Sequence, residues 1–155
     1  MTVAIIVSGK GPTLIRVGHA LPQAYQALCD DLSKRLRPAL NILTLPPSLY
    51  KGPAGLRDEG TRIRKVLSPK STVIALDKGG TMLGTEDFAA ALARWPQPTL
   101  IIGGAEGHDP DVLKTAHYVL SLGPMTMAHA LACLVLLEQI YRAQCIQAHH
   151  PYHRD

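Results

Sequence analysis

The chain has 155 residues, of which 46% are hydrophobic, with three cysteines and a formal net charge of +4. That size and apolar content suit one globular domain with a substantial core and exclude a disordered chain, and no apolar run reaches the roughly eighteen residues a membrane-crossing helix needs. Cys29, Cys133 and Cys145 are odd in number and lack CxxC spacing, which argues against a disulfide framework or a zinc site and for buried thiols; the pI near 9.1 permits an RNA partner without demanding one.

In chain order, Val3 to Val7 is a continuous, mostly β-branched apolar run that predicts a strand buried on both faces. Nothing in Met1 to Val7 has the basic region or cleavage site of a secretion signal, so the expected location is the cytoplasm. The turn Ser8-Gly9-Lys10-Gly11-Pro12 follows; its Gly-Lys-Gly lacks the spacing of a phosphate-binding P-loop. Leu21, Tyr25, Leu28, Leu32 and Leu36 recur at helical spacing and predict a helix from Leu21 to Leu36, packing one face on the sheet. Leu40 to Leu45 predicts a strand ended by Pro46-Pro47, and Ser48 to Leu56, with Gly52-Pro53 and Gly55, reads as an exposed loop.

From Lys51 to Lys70 six basic residues, Lys51, Arg57, Arg62, Arg64, Lys65 and Lys70, face only Asp58 and Glu59. Such a window serves either as phosphate contacts for RNA or as a solvated helix face with intrahelical ion pairs. Thr72 to Leu76 predicts a buried strand with Asp77-Lys78-Gly79-Gly80 as its turn, and Thr85 as N-cap opens a helix to about Arg94, closed by Trp95-Pro96.

The last third is richest in signals. Leu100-Ile101-Ile102 runs into Gly103-Gly104-Ala105-Glu106-Gly107, and a second strand, His117 to Ser121, runs into Leu122-Gly123-Pro124-Met125-Thr126-Met127 before a long helix from Ala128 to about Cys145. Two glycine-bearing loops after consecutive strands make a cradle for a small cofactor, because strand ends hold backbone donors in fixed positions. The alternation of strands and helices predicts an α/β fold with a mostly parallel sheet and helices on both faces. The long helix carries Leu131, Leu134, Val135, Leu136, Leu137, Ile140 and Tyr141, a wider apolar surface than one sheet face requires, which points to a partner chain. Glu138 and Arg142, four apart with the acid first, read as an intrahelical ion pair.

Leu76-Asp77 with Gly79, the run Ile102 to Gly107, Ser121-Leu122 with Met125-Thr126, His129, Glu138 to Ala143 and the terminal Pro151-Tyr152-His153-Arg154 occur in this order. The sequence thereby resembles, over essentially its whole length, the RlmH-type methyltransferases of the SPOUT superfamily, which modify pseudouridine in large-subunit ribosomal RNA. The resemblance implies a single domain over residues 1–155 with a C-terminal trefoil knot, a feature that general fold rules would not suggest.

It also implies S-adenosyl-L-methionine (SAM) as cofactor, held by Leu76, Gly103, Gly104, Gly123, Pro124, Met125, Thr126, Met127 and Ala128. The implied reaction is methylation of N3 of a pseudouridine in 23S ribosomal RNA on the assembled ribosome, by a homodimer in which one subunit's C-terminal tail reaches the other's cofactor pocket. No metal and no membrane are implied. An imide proton must leave during such a transfer, and His153 is the first candidate for base or relay. Arg154 would neutralise a substrate phosphate or developing anion, and Tyr152 would stack on a base. His129, beside the cofactor loop, is read as orienting that loop, touching substrate, or satisfying local backbone groups.

Three positions depart from the family pattern: Gly123 where serine is usual, Ala128 where proline is usual, and Cys133 where arginine is common. They keep two alternatives open, a SAM- or ribosome-binding homologue with lost or altered catalysis, and a small-molecule enzyme binding a phosphorylated ligand.

Overall fold

A computed structural model describes residues 11–154; the strand expected over residues 3–7 lies outside the described residues. Five strands and five helices alternate: β1 (Thr13–Val17), α1 (Gln23–Arg35), β2 (Asn41–Leu45), α2 (Gly52–Val66), β3 (Thr72–Met82), α3 (Thr85–Arg94), β4 (Pro98–Ile102), α4 (Pro110–Thr115), β5 (Tyr118–Ser121) and α5 (His129–Gln147). All strand pairs are parallel, in the order β2-β1-β4-β3-β5. Helices cover both faces, so the predicted α/β class holds, with a sheet wholly parallel among the described residues.

Apolar runs without alternation are what a parallel sheet buried on both faces needs, and the side chains divide accordingly. Leu14, Ile74, Leu100 and Ile102 pack on one face with Cys29, Leu36, Phe88, Cys133, Leu136, Leu137 and Ile140, from the side of α1, α3 and α5. Ile15, Val17, Val73 and Ile101 pack on the other with Ile63 of α2 and Val112 of α4. The register, with Leu14 opposite Leu100 and Leu100 opposite Ile74, keeps each layer continuous across the three central strands.

Several expectations need correction. Strand β1 was not foreseen, because Arg16 interrupts its apolar run; yet Arg16 is itself buried. The expected loop over residues 48–56 becomes helix from Gly52 onward, since Pro53 in the first turn costs no intrahelical bond. Short α4 went unpredicted; it begins at Pro110 behind Asp109, whose carboxylate accepts the Asp111 N–H at 3.4 Å. Thr85 is the first residue of α3 rather than its cap, which is Gly84, and the Thr85 hydroxyl donates to Gln139 at 2.9 Å. Leu28 is exposed, and Cys29 faces the core instead.

The turn expected at residues 77–80 lies inside β3. Leu76 and Thr81 both pair with Leu120, so the four residues between them bulge out before the strand resumes. Gly80 permits the return: a Cβ there would stand 2.7 Å from the backbone of Val119 and Leu120.

All three cysteines are buried, as expected, and the long C-terminal helix buries Cys133, Leu136, Leu137, Ile140, Ala143 and Cys145. Its apolar surface is indeed wider than the sheet and its neighbours cover, since Leu131 stays exposed and Val135 half-buried. Leu136, with no exposed surface, lies at the centre of this packing. Leu136→Ala is expected to lower unfolding free energy by about 2–5 kcal/mol in urea titrations, whereas Leu131→Ala costs under about 1 kcal/mol.

Candidate cofactor and RNA-modification site

The bulge of β3 and the carboxyl ends of β4 and β5 converge, close to where ligand sites form in open parallel sheets. Between their loops and the start of α5 lies a cavity of about 420 Å³. Of the residues predicted to hold a cofactor, Leu76, Gly103, Gly104, Gly123, Met125, Thr126 and Met127 line it, together with His129. Pro124 and Ala128 do not; Ala128 instead caps α5, its carbonyl accepting the Ala132 N–H at 2.9 Å. Asp77, Lys78, Ser121 and Leu122 also line the cavity and were missed as site residues. Their position next to Leu76 and Gly123 was the available signal.

The glycines are there for space. A Cβ on Gly103 would stand 2.6 Å from the Gly107 carbonyl oxygen, and one on Gly104 3.0 Å from a Glu59 carboxylate oxygen. Only glycine lets this loop fold back so tightly, with the Gly107 N–H bonded to the Gly104 carbonyl at 3.0 Å. The Glu59 carboxylate under the loop also accepts the Ser48 N–H at 2.9 Å, which ties α2 to the site. In the second loop Gly123 has φ 137°, a region that suits glycine and not the serine that the resemblance implies there. Ser121 closes that turn, its hydroxyl donating to the Gly123 carbonyl at 3.0 Å and accepting the Gly123 N–H at 3.2 Å.

His129 joins the two halves of the site. Its Nδ1 lies 3.0 Å from the Gly103 carbonyl oxygen and its Nε2 3.2 Å from an Arg16 Nη. A guanidinium only donates, so Nε2 accepts and the Nδ1–H donates to Gly103. Burial, followed by the Arg16 charge, holds the His129 pKa below its ordinary value and keeps the ring neutral. Its bond to Gly103 satisfies a backbone carbonyl and at the same time fixes the glycine loop. His108, behind the glycine loop, is also shifted down by burial.

The C-terminal tail is elsewhere. Tyr152 donates its hydroxyl to Glu138 at 3.1 Å and packs edge-on against Tyr141, with the Arg142 guanidinium 4.8 Å above its ring centre. Arg142 donates to Glu138 at 2.6 and 3.0 Å, the predicted intrahelical pair, and to His153 Nδ1 at 3.2 Å. Arg154 is exposed. Glu138 and Arg142 are nine and thirteen residues beyond His129, so the tail docks about 14–20 Å along α5 from the cavity. The structure thus gathers seven of the nine residues predicted to hold a cofactor around one cavity and leaves Tyr152, His153 and Arg154 of the same chain apart from it.

The basic window divides. Arg62 pairs with Asp58 at 3.2 Å and Arg64 with Asp111 at 3.8 Å, while Lys51, Arg57, Lys65 and Lys70 are exposed. No group of His, Cys, Asp and Glu suited to a metal occurs among the described residues, nor a helix long and apolar enough to cross a membrane.

The buried histidines and thiols set the pH window of stability. With folded pKa values below the ordinary 6.5, His108 and His129 take up protons less readily than in the unfolded chain, so stability falls as pH drops below 6.5. Burial pushes the Cys133 thiol up to about 12 and Cys29 also upward, so stability falls again above the ordinary 9.0. Thermal unfolding is expected to be highest between those limits, and His129→Gln to flatten the acid limb.

Comparison with known proteins shows which family the chain belongs to. The model of a family described as "Predicted SPOUT methyltransferase" matches residues 12–153. A protein of Acidiphilium cryptum named "Ribosomal RNA large subunit methyltransferase H" is 44% identical over 145 residues, covering 91% of this chain and 92% of that one. A protein of the same name from Verminephrobacter eiseniae is 36% identical over 151 residues, covering 92% and 97%. Among solved structures, a probable methylase family protein from Haemophilus influenzae superposes with a TM-score of 0.56 at 16% identity, covering 92% of this chain and 70% of that one, a likeness of fold alone. With the family model and the named relatives matching nearly its whole length, the chain belongs to the SPOUT methyltransferase family.

Proposed function

We propose that this chain is a SAM-dependent methyltransferase of large-subunit ribosomal RNA, acting in the cytoplasm as a homodimer on N3 of a pseudouridine in 23S RNA of the assembled ribosome. The observation that carries the reading is the convergence of the β3 bulge and two strand-end loops on one cavity that glycines keep open. The cavity fits the cofactor's chemistry: Leu76, Ile102, Leu120 and Leu122 give it apolar walls for a heteroaromatic ring, and Asp77 and Lys78 supply opposite charges for a zwitterionic end. Relatives that carry the ribosomal methyltransferase name support the RNA substrate.

SAM, when bound, supplies a methyl group already activated by its sulfonium charge. What remains for the protein is positioning. Gly103, Gly104 and the residues after Ser121 present backbone groups to the cofactor, while His129 fixes the first of these loops. The tail of a second copy brings Arg154 to an RNA phosphate or the developing imide anion, with His153 as proton relay. Tyr152, held by Glu138 and Tyr141, positions that tail more than it stacks on a base. The dimer is supported by apolar surface left uncovered beside the cavity, where Met82, Leu83 and Leu131 are exposed. Lys51, Arg57, Lys65 and Lys70 add phosphate contacts that weaken with salt.

The reading is tested by transfer of labelled methyl from SAM to ribosomes lacking the modification, beside naked 23S RNA. Transfer is expected on ribosomes, mapped to pseudouridine N3, and reduced about 10²-fold or more in Arg154→Ala. SAM binding without transfer would instead mean that the chain binds the cofactor for another purpose.

A further inference from the structure

Arg16 is a buried charge outside the cavity. It lies on β1, does not line the cavity, and is 4% exposed. No carboxylate forms a salt bridge with it among the described residues; its partners are the His19 carbonyl at 2.6 Å and His129 Nε2 at 3.2 Å. A buried charge so placed is costly unless it does something specific. In the sheet Arg16 pairs with Ile102, the residue just before Gly103, and it faces the same layer as Leu14, toward α5.

Cys133 stands one turn beyond His129 on the same face of α5 and is 1% exposed. Helical side chains lean toward the helix N-terminus, so an arginine at 133 would carry its guanidinium back beside His129, into the space that Arg16 fills. The Arg16 charge does act there: it lowers the Cys133 and Cys29 thiols against the larger effect of burial.

We propose that Arg16 is a positioning residue for the cofactor loop, its guanidinium filling from β1 the space beside His129 that the small Cys133 side chain leaves open. By donating to Nε2 it fixes His129 as the Nδ1–H tautomer, and that tautomer is the one able to hold the Gly103 carbonyl. Cys133, small and buried one turn beyond His129, is then the residue that leaves room for the Arg16 guanidinium. The inference rests on the reading of the cavity as a SAM site only for its effect on binding; the tautomer and the coupling between positions 16 and 133 stand independently of it.

The test compares wild type with Arg16→Met, Cys133→Arg and the double variant, by SAM titration calorimetry, by nitrogen NMR of the His129 ring and by urea unfolding. Arg16→Met is expected to weaken SAM about tenfold or more, the scale of one charge-assisted hydrogen bond, and to lose the single Nδ1–H tautomer. Cys133→Arg alone, which puts two guanidinium groups in one buried space, is expected to be less stable than the double variant, which regains the tautomer and most of the affinity. Should Arg16→Met not fold, Arg16→Lys, which keeps the cation, is expected to fold and to retain part of both signals. Unchanged tautomer in Arg16→Met, or additive effects of the two substitutions on stability, would overturn the proposal. Failure of wild type to bind SAM would count against the cofactor reading, and the NMR and unfolding cycle would still decide the role of Arg16.

Discussion

The site depends on one hydrogen bond, from the His129 ring to the Gly103 carbonyl. It ties the first turn of α5 to the loop after β4, and so makes two segments of the last third into one cradle. The Gly103 carbonyl lies past the end of the β4 ladder, where a backbone acceptor away from water needs a partner, and His129 supplies it. Because the ring is buried and beside a guanidinium, it stays neutral and keeps a fixed tautomer. A single side chain thus sets the distance between the parts of the cavity.

The sheet supplies the rigidity behind that bond. Central strands packed on both faces have little freedom to move, since each side chain is fixed by a layer of helices. The bulge in β3 is the exception, and it lies where the cavity needs a rim: Asp77 and Lys78 swing out of the ladder, and Gly80 brings the strand back against β5. Irregularity is thereby confined to the ligand-facing end of the sheet.

Much of this was legible in the sequence. Uninterrupted β-branched or aliphatic runs gave β2, β4, β5 and the first half of β3, and the paired glycines marked the cavity. What escaped notice did so for physical reasons. Arg16 hid β1, because a charged residue in a five-residue strand ordinarily marks an exposed edge, and its partner His129 is far off in sequence. Helix α4 is too short for periodicity to show, and Pro53 reads as a breaker unless the helix start is known. The family resemblance placed the tail residues by function, whereas within one chain they dock on Glu138 and Arg142 through contacts that no spacing rule reveals.

On the proposed reading, the cavity at one end of α5 and the tail docked along its length serve one reaction from two copies, which makes a second copy a requirement. Mixing tests that requirement most directly: Gly103→Val, which blocks the loop, and Arg154→Ala, which disarms the tail, are each assayed for methyl transfer and then combined after dissociation and reassociation. Recovery of activity in the mixed dimers, with each variant inactive alone, is the expected result. Mixed dimers that form and stay inactive would contradict the account.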